Sequence, residues 1–238
     1  MLRVALTKRF IYKDILQIAK DYGIHYDDVR ADVHPLEFAR LLSPLSSSFP
    51  QPDWGNLSAG SDQFTPDHFP HAFNSEPSVS RFLGELAFFK PAKTVIELGS
   101  FVGWTTAHLA KALQGQGGGK IFAVDPSQEY LDTMLGNLQR HGLQELVTPV
   151  RGYSEDKKVV NALPKEADII FIDTGHNYPQ TLREVSLYKP HLAPGGFMVL
   201  HDSMSAPGVR KSLLEVKGFR KMTFGTERSN GVTVLVQE

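Results

Sequence analysis

At 238 residues, 41% hydrophobic and 21% charged, the chain is long enough for one α/β domain with a sizeable core plus a modest extension, and its composition argues against a disordered or membrane class. A formal net charge of −1 gives no overall field to draw in nucleic acid, and the absence of cysteine excludes disulfides, thiolate metal sites and cysteine nucleophiles. Residues 1–20 interleave Lys and Arg with apolar residues and hold no continuous apolar run, so they read as neither a signal peptide nor a membrane span, and a cytoplasmic location is expected.

Two regions differ in character. Residues 1–76 are expected to form an N-terminal extension of helical pieces, followed over 43–74 by a turn-rich stretch crowded with Ser, Pro, Gly, Asp and aromatic residues. Phe64, His68, Phe69, His71 and Phe73 in that stretch read either as part of a lid or as an ordinary loop. From 77 to 238, strand and helix signals alternate in the rhythm of βαβ units. The pattern predicts a helix over 78–89, a strand from 94 to the acid Glu97, a glycine turn through Gly99 and Gly103, and a helix over 105–113. A loop over 114–119 leads to a strand over 120–124 that ends at Asp125, then a helix over 128–141. The third strand, 147–150, is weakened by Pro149, which cannot donate to a ladder. A helix over 155–163 precedes a fourth strand, 167–172, ending at Asp173, and another helix follows over 179–192. The turn Pro194-Gly195-Gly196 leads into a fifth strand, 197–200, ending at His201-Asp202. A short helix over 207–216 and two late strands, 220–224 and 231–236, complete the chain, with a hairpin-like connection over 226–230. The expected fold is α/β and Rossmann-like: a mostly parallel twisted sheet with helices on both faces and an antiparallel edge strand.

The segment from Thr94 to Thr106 is the most informative. A strand, a glycine turn and a helix N-terminus in that order form a ligand cradle, because glycine lets the backbone approach a small molecule and the helix end offers unpaired N–H groups. Such crevices lie outside the carboxyl ends of strands in open α/β sheets. The dinucleotide fingerprint fails here. Its second glycine, needed for backbone contact with a pyrophosphate, is Phe101, and the third falls on Trp104, which disfavours a nicotinamide oxidoreductase. Asp125 follows the turn at the distance expected of an acid that binds ribose hydroxyls, with a helix N-cap as its ordinary alternative. In a parallel sheet the acids at 97, 125, 173 and 202 gather around one crevice, which mutual repulsion makes a poor accident.

The pattern Glu97-x-Gly99-x-Phe101-x-Gly103-x-Thr105 resembles the first motif of class I S-adenosylmethionine (SAM) methyltransferases, and the likeness extends over 77–238. Asp168-Ile-Ile-Phe-Ile-Asp173-Thr-Gly-His176, Leu192-Ala-Pro-Gly-Gly196 and Val199-Leu-His-Asp202 look like the metal-dependent O-methyltransferases: the catechol and caffeoyl-CoA types and the bacterial enzymes that methylate macrolide sugars. That resemblance implies SAM as cofactor, with Glu97, Gly99, Ser100, Phe101, Gly103, Trp104, Thr105, Asp125, Pro126, Tyr153, Ser154 and Asp173 around it. It also implies a divalent metal, magnesium first and manganese or another transition metal second, held by Asp173 and Asp202 against the hydroxyl oxygens of a small-molecule acceptor. His176 stands where the sugar-methylating relatives carry a general base, which gives His176 and Asp173 the catalytic roles; a solvent-facing loop residue is the plainer alternative for His176. The pattern departs after strand five, where those relatives carry Glu-Asp or Asp-Asn and this chain has His201-Asp202-Ser203. With His201 as a ligand a transition metal is favoured over magnesium; otherwise Ser203 or water completes the shell.

Other residues have blander readings: Trp104 as packing or a cofactor-side wall, and His108, His141 and His191 as solvated or core-edge side chains. The competing functions are a SAM-fold binding protein without methyl transfer, an N-methyltransferase, and a nucleic-acid methyltransferase. The last lacks both a basic cluster with interleaved aromatics and a Pro-aromatic motif after strand four. No membrane or nucleic-acid partner is expected, and a homodimer, common among relatives, is left open.

Overall fold

The structure, a computed structural model, describes residues 53–55, 57, 60–226 and 228–237. The helical pieces expected early in the extension, and the readings of residues 1–20, lie outside the described residues. Seven strands form one sheet: β1 (Thr94–Leu98), β2 (Lys120–Asp125), β3 (Val147–Arg151), β4 (Ala167–Ile172), β5 (Leu192–His201), β6 (Phe219–Phe224) and β7 (Val232–Gln237), in the spatial order β3-β2-β1-β4-β5-β7-β6. The first five pair in parallel, while β7 pairs antiparallel with both β5 and β6. The main helices are α1 (Pro77–Phe89), α2 (Trp104–Gly115), α3 (Gln128–Arg140), α4 (Lys157–Ala162), α5 (Tyr178–Tyr188) and α6 (Pro207–Glu215).

Strand residues alternate between two apolar layers, which explains why the central strands read as unbroken hydrophobic runs. Val95, Ile169, Phe171 and Val199 face one layer with α1, α2 and α3; Ile96, Ile170, Ile172 and Leu200 face the other with α4, α5 and α6. Trp54, Leu57, Phe64 and Phe69 join the first layer, so part of the stretch before α1 is core rather than loose loop. Pro149 is accommodated because β3 is an edge strand, pairing only with β2.

The fifth strand differs from expectation. Pro194-Gly195-Gly196 lies inside β5, which already begins at Leu192. Its pairing with β4 slips between Ala167 and Ile169, so that Leu192 and Phe197 oppose residues only two apart. The glycines absorb that irregularity: Gly195 has φ +68, and a Cβ on Gly196 would stand 2.8 Å from the Ala193 carbonyl oxygen. The turn signal was a bulge signal.

Candidate active site

At the end of β1, the β1–α2 turn folds back over β2. The amides of Gly99 and Ser100 both donate to the Val124 carbonyl, at 2.9 and 3.2 Å. Asp125 then holds two loops at once, its Oδ2 accepting from the Phe101 amide at 3.0 Å and its Oδ1 from the Ser127 amide at 2.9 Å. The cap of α3 is Ser127, not Asp125. Burial raises the Asp125 carboxyl, and those two amide bonds pull it back. Phe101 adopts a left-handed backbone at φ +46, unusual for a bulky residue and a mark of a site where strain is retained. Its ring packs among Phe69, Phe73 and Tyr130, with Phe73 and Pro126 exposed at the rim.

The turn glycines answer first to protein neighbours rather than to a small molecule. A Cβ on Gly99, at φ +88, would stand 1.9 Å from the Asp173 carbonyl oxygen; one on Gly103, at φ +85, would meet Met134 Cγ at 2.5 Å. Gly99 therefore lets the end of β1 lie against the end of β4, where the Asp173 amide donates to the Leu98 carbonyl at 2.9 Å.

Several residues assigned to the cofactor make contacts with other parts of the protein. Glu97 lies within β1, fully buried beneath α2, where its Oε2 accepts from the Thr106 hydroxyl at 2.6 Å. Burial pushes it up to about 8, against the Thr106 bond, with the charges of Asp173 and Asp125 adding to the rise. Thr105 shares a hydrogen bond with Ser80 of α1 at 2.9 Å. The Ser154 hydroxyl donates to Glu184 of α5, as does Thr174. Trp104 is buried against Phe64 and His108, which is packing. Tyr153 is exposed after β3. Ser100 keeps a buried hydroxyl oxygen with no hydrogen-bond partner beside the glycine turn, and with Asp125 it suits a polar, adenosine-type ligand. His108 and His191 are neither solvated nor at the core edge: both are buried, with Nδ1 3.0 Å from the Trp104 carbonyl and 2.7 Å from the Pro164 carbonyl. Burial lowers His108 to about 4, against the bond to Trp104.

Beyond the end of β4 lies a cluster of charge. His176 Nε2 lies 3.0 Å from Asp173 Oδ1 and 3.2 Å from Asp202 Oδ2. His201 Nδ1 lies 3.2 Å from Asp173 Oδ2 and 3.5 Å from Asp202 Oδ2. His176 and Asp202 both have left-handed backbones, φ +54 and +53, which turn their side chains back over the strand ends. Burial opposes charge throughout the cluster, and the opposite charges win: Asp173 lies far below the carboxylate range beside His201 and His176, His176 is raised by Asp173, and His201 is pushed up to about 11 by Asp173 and Glu76.

Ser75 and Glu76, just before α1, are the functional candidates that sequence reasoning missed. The Ser75 hydroxyl donates to Asp173 Oδ2 at 2.9 Å, and His201 Nε2 lies 2.7 Å from Glu76 Oε2. Glu76 is fully buried, and its Oε1 accepts from the Thr226 hydroxyl at 2.7 Å. Burial alone would raise it, but His201 and Thr226 bring it down to about 2. The only sign in sequence was an acid before Pro77, which reads as a helix start; its partners stand 125 and 150 positions away.

Asp173, His201 and Asp202 each offer a ligand atom within 4.8 Å of the others. His201 Nδ1 is buried, within ion-pair distance of both carboxylates, yet without a hydrogen bond. An orphaned ring nitrogen beside two carboxylate oxygens is a donor set that fits a divalent cation.

Comparison with known proteins agrees with this fold. Residues 96–203 match the model of a family described as a methyltransferase domain. Among solved structures, cofactor-bound Rv0187 from MTB superposes with a TM-score of 0.64 at 20% identity, covering 86% of this chain and 97% of that one. The SAH-bound methyltransferase PaMTH1 of Podospora anserina gives 0.62 at 16% identity, over 72% and 83%. The O-methyltransferase TomG of Streptomyces achromogenes, in complex with SAM, gives 0.59 at 17%, over 80% and 99%. An uncharacterized protein of Acanthamoeba polyphaga mimivirus is 28% identical over 123 residues, 48% of this chain and 53% of that protein, so the chain spans about half the length of this curated relative. Residues 96–203 therefore match a methyltransferase domain, and the sheet order belongs to the fold that these solved structures share. Among the described residues, no helix is long and apolar enough to cross a membrane.

Proposed function

We propose that this chain is an O-methyltransferase that moves the methyl group of SAM to a hydroxyl of a small molecule, of the natural-product, sugar or catechol-like kind. The observation that carries the reading is the convergence of Asp173, His176, His201 and Asp202 next to the Gly99 turn. SAM supplies an electrophilic methyl on a sulfonium, and the reaction needs an acceptor oxygen held in line with it. The glycine turn, Ser100 and Asp125 hold the cofactor, Asp125 through oxygens that retain lone pairs beyond those used by the Phe101 and Ser127 amides. A divalent cation on Asp173, His201 and Asp202 would lower the pKa of the acceptor hydroxyl and fix its direction. His176 in its neutral form takes the hydroxyl proton as the oxygen–carbon bond forms and the sulfur–carbon bond breaks, and the pull of Asp173 and Asp202 favours the imidazolium that results. The same proposal divides the chain at residue 76 into an extension and a catalytic unit, and places it in the cytoplasm, as a homodimer, without a nucleic-acid partner.

The test is a screen of hydroxylated and amine acceptors with SAM and a panel of divalent metals, scored by SAH release and product mass. Hydroxyl methylation that stops with chelator and returns with magnesium or manganese supports the proposal. Tight SAM binding with no acceptor methylated would favour a binding protein, and methylation confined to amines would favour N-transfer. Full activity after exhaustive chelation would remove the metal and leave the acids to orient His176.

A further inference from the structure

Glu76 has a place in the site that the methyl-transfer reaction does not by itself require. It is fully buried and anchored at both oxygens: Oε1 by the Thr226 hydroxyl, whose oxygen in turn accepts the Gly231 amide at 2.9 Å, and Oε2 by His201 Nε2 at 2.7 Å. The carboxylates around His201 keep it protonated, so a metal ion binds there by displacing a proton, and the neutral imidazole that results carries one N–H. With that proton on Nε2 and donated to a carboxylate, the lone pair belongs to Nδ1. That nitrogen is the buried one without a hydrogen bond, 3.2 and 3.5 Å from carboxylate oxygens of Asp173 and Asp202. A lone pair facing two carboxylates is repulsive unless a cation stands among them. Next to Glu76, Ser75 pins Asp173 Oδ2, so one short strap sets the direction of two of the three donors.

We propose that Glu76 is a positioning residue: it turns the Nδ1 lone pair of His201 toward Asp173 and Asp202 and so makes this centre prefer a borderline transition-metal dication, such as manganese, iron, cobalt or zinc, over magnesium. The inference rests on the metal reading of the proposed function. Oxygen-only sets suit magnesium, whereas one imidazole nitrogen among carboxylates shifts preference along the first transition row. Carboxylates behind a metal-binding histidine raise its basicity and fix its tautomer, and removing them costs roughly 10–100-fold in metal affinity.

The experiment uses the full chain, stripped of metal and titrated with Mn²⁺, with magnesium as competitor. Binding is read from the loss of the aqueous Mn²⁺ resonance, and nitrogen coordination from ¹⁴N modulation in pulsed EPR. The native protein should bind Mn²⁺ at least about tenfold more tightly than Mg²⁺ and show nitrogen modulation that vanishes in His201→Asn. Glu76→Ala should weaken Mn²⁺ roughly 10–100-fold, lose the modulation and leave Mg²⁺ binding nearly unchanged. Glu76→Gln, whose amide oxygen can accept the same N–H, should restore most of both. If Glu76→Ala does not fold, Thr226→Val, which frees the carboxylate from its second anchor, should show the same losses in weaker form. Native Mn²⁺ affinity and modulation in Glu76→Ala, or in Thr226→Val where that variant stands in, would overturn the proposal, as would modulation that survives His201→Asn. If the native protein binds neither ion at millimolar concentration, the metal reading itself fails.

Discussion

The two sides of the crevice are built differently. The cofactor side is local: the strand, turn and acid between Glu97 and Tyr130 organise themselves through backbone amides, and one carboxylate, Asp125, ties two adjacent loops. The acceptor side is assembled at long range, from side chains at 75–76, 173–176, 201–202 and 226. The contrast has a physical cause. Amides arranged by a turn need no counter-charge, whereas three clustered carboxylates are tolerable only with imidazoles among them, and one chain segment cannot supply all of these in the right directions. Where the two sides touch, Gly99 leaves the space that the Asp173 carbonyl fills.

The largest expected effect breaks the acceptor side alone. His176→Ala should lower kcat by roughly 10²–10⁴-fold, the usual worth of a positioned base, while SAM affinity measured by calorimetry hardly changes. Near-native kcat in that variant would assign the proton transfer to metal polarisation instead. Next comes the seam. Gly99→Ala places a methyl group 1.9 Å from a backbone oxygen at a positive φ, so it should cost roughly 3 kcal/mol or more of stability in a urea titration and weaken both sides together. A variant that stays stable and loses only SAM binding would return this glycine to a purely ligand-facing role.

On the cofactor side, Asp125→Ala should weaken SAM and SAH by about 1.5–3 kcal/mol for each charged hydrogen bond lost, without altering metal binding. Unchanged affinity would limit Asp125 to holding the turn. The smallest effect lies outside both sides and is silent at pH 7. His108 is buried neutral, with a folded pKa of about 4 below its ordinary 6.5. The unfolded chain therefore takes up a proton that the native state refuses. The stability tied to this residue is complete above pH 6.5 and is lost as pH falls through about 4. His108→Gln should flatten that part of the stability–pH curve relative to the native protein, as read from urea midpoints at pH 7 and pH 5. An equally steep decline would mean that other groups govern the acid response.

Much of the fold was legible because its signals are short-ranged. The buried runs at 94–98 and 167–172 had the length and continuity of parallel strands, and the late hairpin announced the antiparallel finish. The rest was not legible, for physical reasons. Gly195-Gly196 serves a bulge as readily as a turn, and only pairing with β4 distinguishes them. Thr105 and Ser154 sit beside the expected ligand in sequence, yet their hydroxyls are drawn to Ser80 and Glu184, partners supplied by other helices.

The sequence by itself determined the alternation of strands and helices, the glycine turn with Asp125 beyond it, and the presence of Asp173, His176, His201 and Asp202 at strand ends, because periodicity and chain order are local properties. Only the tertiary structure decided which of those groups touch, which face of β1 buries Glu97 under α2, and that Glu76 and Thr226 reach His201. Those facts depend on the sheet order and on the left-handed turns at His176 and Asp202, through which residues far apart in the chain come within hydrogen-bond distance.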